Sequence, residues 1–253
     1  MPRQPPLIVR LARDALDEQA VQRLRYQIFV TEMGGDGADV DHAAGLERDP
    51  FDALCDHLLL IDPRLAHGRH VVGTYRLLPG ARLAHGQPFY CDSEFDLTPL
   101  RSSGRRLLEL GRSCVAPAYR GGLGMWQIWQ GIASYVQDHD IEILFGAASF
   151  PGTTLADWRP QLAWLHHHHL APPQLRVRPH KPVPLDLPAA ETLERRPVLA
   201  RMPSLIQAYL RLGGVIGNGV FVDHDFGTID VCVILDTDAL HASARAMATR
   251  GNR

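Results

Sequence analysis

The stretch Leu107–Trp129, LLELGRSCVAPAYRGGLGMWQIW, decides the fold of this chain. Its first half is an apolar run that Pro117 ends, and its second half opens with glycines and continues as an apolar and aromatic segment to about Gln137. The spacing predicts a strand up to Ala116, a tight corner, and a helix from about Met125. Free backbone N–H groups at the start of such a helix attract phosphate, and glycines let a phosphate approach the backbone.

Two interpretations of this corner remain open on physical grounds. In the first, Arg120, Gly121, Gly122 and Gly124 cradle the phosphate of a phosphopantetheine arm, because a guanidinium pairs well with phosphate oxygens. In the second, the corner is an ordinary glycine-rich turn between a strand and a helix. The spacing alone favours neither.

Outward from this segment, strands and helices alternate along the chain. Apolar runs between turn residues predict further strands at residues 7–12, 57–62, 71–78, 143–149 and 229–235. Helical spacing predicts helices at 17–33, with Asp17 as the cap, at 153–169 and at 204–212, and a weak helix from Asp238. This order predicts an α/β fold with a mixed central sheet and helices on both faces. We expect one domain over residues 1–253, with a proline-rich insertion near 171–203.

Composition excludes several classes of protein. The formal net charge of -2 argues against a nucleic-acid-binding protein, and four scattered cysteines argue against a zinc site or a disulfide framework. No apolar run approaches the ~18 residues of a spanning helix. The sequence therefore predicts a cytoplasmic protein without a metal, and leaves peripheral contact with the inner membrane open.

Two charged residues interrupt apolar strands. Glu109 stands among leucines, where a carboxylate is costly unless it is paired or useful. It is either a general base for an attacking amine or the partner of Arg112 or Arg76 in a buried ion pair. Arg76 is either a clamp for the carboxylate of an acceptor or one half of a salt bridge to Glu109 or Asp52.

Other candidates lie nearer the N-terminus. Asp49 and Asp52 are either the holder of a cationic acceptor or part of a solvated acidic loop, and residues 35–50 are expected to form a mobile loop. Arg25 and Phe29 are four residues apart, so one helix face presents both, although Phe29 is equally explained as core packing. Arg112 is expected to orient the site or to meet the pantetheine arm.

Five arginines form a local basic cluster in a chain whose net charge is close to zero. Such a cluster suits transient docking of an acidic acyl carrier protein, and a solvated loop is the alternative. The five are Arg101, Arg105, Arg106, Arg112 and Arg120.

Several motifs together resemble a known family. They are Leu24–Phe29 (LRYQIF), Asp49–Asp52 (DPFD), Cys55–Leu59 (CDHLL), Gly73–Leu78 (GTYRLL), Leu108–Ser113 (LELGRS), Ala148–Thr153 (ASFPGT) and Val222–Phe226 (VDHDF). This pattern is similar to that of the L-ornithine Nα-acyltransferases, which have the Gcn5-related N-acyltransferase fold and are related to acyl-homoserine-lactone synthases. The glycine corner departs from the usual Q/R-x-x-G-x-G/A loop of that fold.

The resemblance implies a function and a set of site residues. It implies transfer of a 3-hydroxyacyl group to the α-amine of ornithine, giving a lyso-ornithine lipid. The donor would be an acyl-phosphopantetheine thioester on acyl carrier protein, or acyl-CoA, with no tightly bound cofactor. Glu109 becomes the catalytic residue, Ser149 joins the substrate-binding residues, and Val115 joins the donor-binding corner. An acyl-homoserine-lactone synthase and a non-catalytic acyl-carrier or lipid-binding module are the alternatives.

Overall fold

The computed structural model describes residues 6–37, 40–66, 68–120 and 123–238. Its strands are β1 (Ile8–Leu11), β2 (Val40–Asp41), β3 (Leu46–Glu47), β4 (Asp56–Ile61), β5 (Val71–Pro79), β6 (Phe95–Asp96), β7 (Leu107–Val115), β8 (Ile143–Pro151), β9 (Arg178–Pro179), β10 (Val215–Ile216), β11 (Phe221–Asp223) and β12 (Thr228–Asp236). Its α-helices are α1 (Ala15–Arg25), α2 (Thr98–Arg101), α3 (Leu123–Asp138), α4 (Arg159–His168), α5 (Arg195–Arg201) and α6 (Ser204–Arg211).

The described residues contain one sheet of eight strands in the order β1-β4-β5-β7-β8-β12-β10, with β11 also paired to β12. Strands β4 and β5 form an antiparallel hairpin, in which His57 lies opposite Arg76. The pairing of β7 with β8 is parallel, whereas β8 and β12 run antiparallel. Both directions therefore occur, which confirms the prediction of a mixed α/β sheet.

Chain contacts divide the protein into two compact units. The first comprises Met1–Arg82 and Leu110–Asp140. In its core, Val21 and Leu24 of α1 pack with Leu59 of β4. Helix α3 lies close to the same strands because Gly73 leaves room for Ile128, whose Cδ1 would lie 3.1 Å from an added Cβ.

The second unit comprises Leu83–Glu109 and Ile141–Arg253. Its core centres on β8 and β12, and Phe89 meets Phe145 edge to face with ring centroids 5.0 Å apart. The predicted helix at 153–169 begins instead as a 3-10 turn, Leu155–Trp158, and becomes α-helical only at Arg159. The proline-rich stretch contains the short elements β9 and α5, and the predicted helix beyond Asp238 lies outside the described residues.

The first predicted helix differs from the observed one at both ends. Asp14, and not Asp17, caps α1, because its carboxylate accepts the N–H groups of Leu16 and Asp17 at 3.0 Å each. The Asp17 side chain instead turns to Arg10. After Arg25 the chain continues as a π-helix, Tyr26–Glu32, in which Met33 N–H donates to the carbonyl of Ile28. Such π segments are rare and often accompany functional sites.

Among the described residues, every helix is too short or too polar to cross a bilayer.

Candidate active site

A network of buried ion pairs occupies the first unit. Arg25 ends α1 and has 0% exposure, and so does Glu47 of β3. The Arg25 Nε donates to the Glu47 carboxylate, and its Nη1 donates to Asp52 Oδ1 at 2.7 Å. The arginine of the first-helix motif is therefore bound on two sides within its own unit.

Two strand arginines complete this network. Arg76 on β5 donates from Nη1 to Asp49 Oδ2 at 2.6 Å and to Asp52 Oδ1 at 3.1 Å. Arg112 on β7 donates from Nε to Glu47 Oε1 at 2.9 Å and from Nη2 to Asp49 Oδ2 at 3.2 Å. We call the six residues the arginine–carboxylate network: Arg25, Glu47, Asp49, Asp52, Arg76 and Arg112. Its three guanidinium groups and three carboxylates balance in charge, which is what allows them to be buried together.

The network keeps Asp52 and Arg76 ionised. Burial alone would raise the pKa of Asp52, but Arg25 and Arg76 lower it below its usual value overall. Burial and Arg112 would lower the pKa of Arg76, but Asp49 raises it above its usual value overall. His57 donates through Nε2 to the Asp52 carbonyl oxygen at 3.2 Å. Burial, as the main cause, lowers the pKa of His57, so this imidazole is neutral at pH 7.

This geometry corrects one prediction and contains one of the salt bridges considered for Arg76. Asp49 and Asp52 do not belong to a solvated acidic loop, since both are buried against arginines. Arg76 forms one of the salt bridges considered, that to Asp52, and adds Asp49. Glu47 was missed, because nothing in the local sequence distinguishes it from a surface residue.

The backbone conformation of Arg112 directs its side chain toward the carboxylates of the network. Its φ of 49° is unusual for a residue other than glycine and costs about 1–3 kcal/mol. This left-handed residue breaks the alternation of β7, which is why strand parity could not assign its side chain from the sequence. The parallel ladder with β8 also ends just before it, at Glu109 opposite Phe145.

Glu109 lies in the second unit and is held by backbone donors. It is 4% exposed, and its carboxylate accepts the N–H of Tyr90 through Oε2 at 2.9 Å and that of Cys91 through Oε1 at 2.7 Å. These two contacts orient the carboxylate firmly.

Phe29 and Ser149 have simpler surroundings. Phe29 lies in the π-helix and packs against the core of the first unit, together with Ala12 and Ala116. Ser149 is exposed on β8, opposite Asp230 of β12. The structure thus places Phe29 at the edge of a core and Ser149 at a surface.

The predicted donor corner lies in the first unit. Arg120 donates from Nε to the Val115 carbonyl oxygen at 2.9 Å, and its Nη1 and Nη2 donate to Glu32 at 2.5 and 2.8 Å. Gly124 is needed for packing, because an added Cβ would lie 2.9 Å from Leu60 Cδ2. Gly121 and Gly122 lie outside the described residues.

Each arginine of the predicted basic cluster has an acidic partner. Arg101 pairs with Asp92, Arg105 with Asp236, and Arg106 with Glu142. Arg112 and Arg120 are paired as described above. The arginines are therefore neutralised within the chain, and the cluster is less basic than the sequence suggests.

A group of carboxylates in the second unit was not predicted. Glu94, Asp223 and Asp230 bring oxygens within 4.8 Å of one another, and Glu94 and Asp230 are buried. Oxygens this close are able to share one cation. The three residues come from separate segments, so no spacing in the sequence reveals them.

A groove of about 400 Å³ lies beside α3 in the first unit. Its lining residues include Arg10, Gln127, Tyr135 and His139, and none of the predicted site residues is among them. Tyr135 is held there by Asp56, whose Oδ2 accepts its hydroxyl at 2.7 Å.

Comparisons with known proteins agree with this architecture. The family model described as "Acetyltransferase (GNAT) domain" matches residues 24–130. Among solved structures, an N-acyl amino acid synthase from uncultured soil microbes has a TM-score of 0.55 at 11% identity, with 94% of each chain covered. A CoA-dependent acyl-homoserine lactone synthase has a TM-score of 0.52 at 16% identity, covering 94% of this chain and 87% of its own. At such identities the likeness shows the fold.

Sequence relatives extend over nearly the whole chain. A protein of Rhodobacter capsulatus named L-ornithine N(alpha)-acyltransferase is 55% identical over 96% of this chain and 94% of its own length. A protein of Brucella abortus with the same name is 40% identical, over 92% and 85% respectively. The resemblance seen in the motifs is thereby confirmed. The chain belongs to the family of L-ornithine N(alpha)-acyltransferases and is an acyltransferase with a GNAT domain.

Proposed function

We propose that the protein transfers a 3-hydroxyfatty acyl group from an acyl-phosphopantetheine thioester to the α-amine of ornithine, giving a lyso-ornithine lipid. The observation that carries this proposal is the 55% identity, over nearly full length, to a protein named L-ornithine N(alpha)-acyltransferase. The buried, oriented carboxylate of Glu109 supplies a base suited to such a reaction.

The reaction needs one proton acceptor and one leaving thiol. Glu109 takes a proton from the α-ammonium of ornithine, directly or through water, so that the nitrogen has a free lone pair. The nitrogen attacks the thioester carbonyl carbon, the C–N bond forms, and the C–S bond breaks. As the amide forms, the nitrogen loses its second proton, and the departing thiolate takes up this proton to give free phosphopantetheine thiol. The Tyr90 and Cys91 amides hold the Glu109 carboxylate in one orientation throughout.

The arginine–carboxylate network supports this proposal as scaffold. Asp49 and Asp52 already accept hydrogen bonds from Nη1 of Arg76. To bind the α-carboxylate of ornithine, Arg76 therefore has to release Asp49 and pair with the substrate instead. Asp49 and Asp52 can likewise bind the δ-ammonium of ornithine only if they release an arginine partner. We therefore assign Arg25, Asp49, Asp52 and Arg112 to positioning within the network, and leave to Arg76 the proposed contact with substrate.

The donor is proposed to be acyl carrier protein, with acyl-CoA as the alternative. Both present the same phosphopantetheine arm, which Val115, Arg120 and the glycines after it are proposed to bind. An acyl ornithine is amphiphilic, so a cytoplasmic enzyme that makes brief contact with the inner membrane is part of the proposal. Flotation of the protein with anionic and neutral vesicles tests that contact.

Release of free thiol tests the function. Purified protein is incubated with 3-hydroxyacyl carrier protein, or with 3-hydroxyacyl-CoA, in the presence of ornithine, S-adenosylmethionine or no amine. We expect thiol release only with ornithine, and faster release from the carrier protein. Release with S-adenosylmethionine instead would indicate a homoserine-lactone synthase, and no release with either amine would leave only a binding module.

A further inference from the structure

Arg120 and Glu32 form a two-pronged ion pair at the donor corner. The guanidinium donates to both carboxylate oxygens of Glu32, at 2.5 and 2.8 Å. Both side chains are accessible to solvent, at 44% for Arg120 and 38% for Glu32. Solvent screens exposed pairs, so a second anion that offers two oxygens can compete with the carboxylate.

The guanidinium of Arg120 has a contact that orients it independently of Glu32. Its Nε is bound to the Val115 carbonyl oxygen, which fixes the plane of the group independently of the carboxylate. The neighbouring Tyr119 hydroxyl donates to Asp62 Oδ2 at 2.7 Å, so the turn is anchored at a second point. Arg120 is thus preorganised to present two N–H groups to an anion at this place.

A phosphate presents the same pair of oxygens as a carboxylate. Guanidinium groups bind carboxylate and phosphate through the same parallel N–H···O bonds. We propose that Glu32 occupies on Arg120 the place of the phosphate of the donor's phosphopantetheine arm, and that donor binding exchanges this carboxylate for the phosphate. Glu32 is then a positioning residue that sets donor affinity through Arg120. This inference rests on the proposed acyl-transfer function.

The exchange weakens the binding of the donor and does not affect the binding of ornithine. Glu32 competes with the phosphate for Arg120, so it raises the KM for the donor and leaves turnover and the KM for ornithine unchanged. Removing its charge frees Arg120. We expect Glu32→Gln to lower the donor KM by about two- to fivefold, the range that an exposed ion pair supports.

A double-mutant cycle tests the exchange. Donor KM, ornithine KM and kcat are measured for wild type, Glu32→Gln, Arg120→Gln and the double variant. Glu18→Gln, which removes another exposed acidic charge from the same region of chain, serves as the matched control. We expect Glu32→Gln to lower only the donor KM, Arg120→Gln to raise it, and Glu32→Gln to have no effect when Arg120 is already replaced. Equal effects of Glu32→Gln in both backgrounds would overturn the proposal.

A binding measurement separates this inference from the proposed reaction. Calorimetry compares phosphopantetheine with pantetheine, which lacks the phosphate. The Glu32→Gln variant is expected to bind phosphopantetheine two- to fivefold more tightly than wild type and to bind pantetheine unchanged. An equal gain for both ligands, or none for either, refutes the exchange. Absence of ornithine-dependent thiol release in the wild type would count against the proposed function and would leave the binding result to decide this inference.

Discussion

The protein buries carboxylates in two contrasting ways. In the first unit, Glu47, Asp49 and Asp52 are each bound by guanidinium groups. In the second unit, the Glu109 carboxylate accepts two backbone N–H groups. Guanidinium partners neutralise a carboxylate and tie distant segments together, whereas amide partners orient it. The comparison shows that burial alone does not reveal the role of a carboxylate, because the partners of these carboxylates differ between the two units.

Replacing Glu109 gives the largest expected effect. Glu109→Gln removes the proton acceptor, so turnover is expected to fall by about 10²–10⁴-fold. A glutamine oxygen can still accept one of the two N–H groups, so the free energy of unfolding falls by about 1–3 kcal/mol. Thiol-release assays and urea denaturation measure the two quantities. Turnover within threefold of wild type would remove Glu109 from the role of base.

Breaking the network gives the next largest effect, and it falls on stability. Arg25→Leu leaves Glu47 and Asp52 buried with fewer cations, which costs about 3–5 kcal/mol of the free energy of unfolding. Arg23→Leu is the matched control, because Arg23 lies on the same helix and is exposed. A loss at Arg25 no greater than that at Arg23 would contradict a structural role for the network.

We expect His57 to have a smaller effect on stability, and this effect depends on pH. Burial lowers its pKa in the folded protein below the unfolded value of 6.5. The unfolded chain therefore binds a proton first as the pH falls, and the contribution of neutral His57 to stability, complete above pH 6.5, is lost as the pH falls through the folded pKa. Urea midpoints at pH 7.5 and pH 5 are expected to differ less in His57→Gln than in wild type. An identical pH dependence would show that His57 is not buried as described.

The exposed pairs give the smallest effect. Arg101→Ala removes a partly exposed partner of Asp92, so we expect a change in the free energy of unfolding of about 0–1 kcal/mol. Because Arg101 is already neutralised, the KM for acyl carrier protein is expected to stay within twofold of wild type. A several-fold rise in that KM, with the KM for acyl-CoA unchanged, would instead show that this region docks the carrier protein.

Much of the sheet was predictable from local pattern. The apolar runs of β4, β5, β8 and β12 lie between turn residues, and their ends in the structure differ from the predicted ends by only one or two residues. The π-helix was not predictable, because Tyr26–Glu32 continues the same helical spacing as α1. The cap was misjudged because Asp14 and Asp17 both precede the apolar periodicity, and only tertiary contact with Arg10 draws Asp17 away.

Several of the charged residues singled out from the sequence lie together in the structure, but their partners were not predictable. Arg25 and Asp52 are 27 positions apart, and Arg112 and Glu47 are 65 apart, so no local period links them. Two donors to the Glu109 carboxylate are backbone N–H groups, which any residue type provides. Burial of Asp49 and Asp52 depends on guanidinium groups from α1, β5 and β7, and the acidic sequence around the two aspartates predicts the opposite.

The most direct test of acyl transfer to the α-amine follows the nitrogen itself. Ornithine labelled with ¹⁵N only at the α position is incubated with 3-hydroxyacyl carrier protein and the purified enzyme, and the product is examined by NMR and mass spectrometry. The account predicts one ¹⁵N amide coupled to the new acyl carbonyl, with an unacylated δ-amine. A product acylated at the unlabelled δ nitrogen, or the absence of any amide, would contradict it.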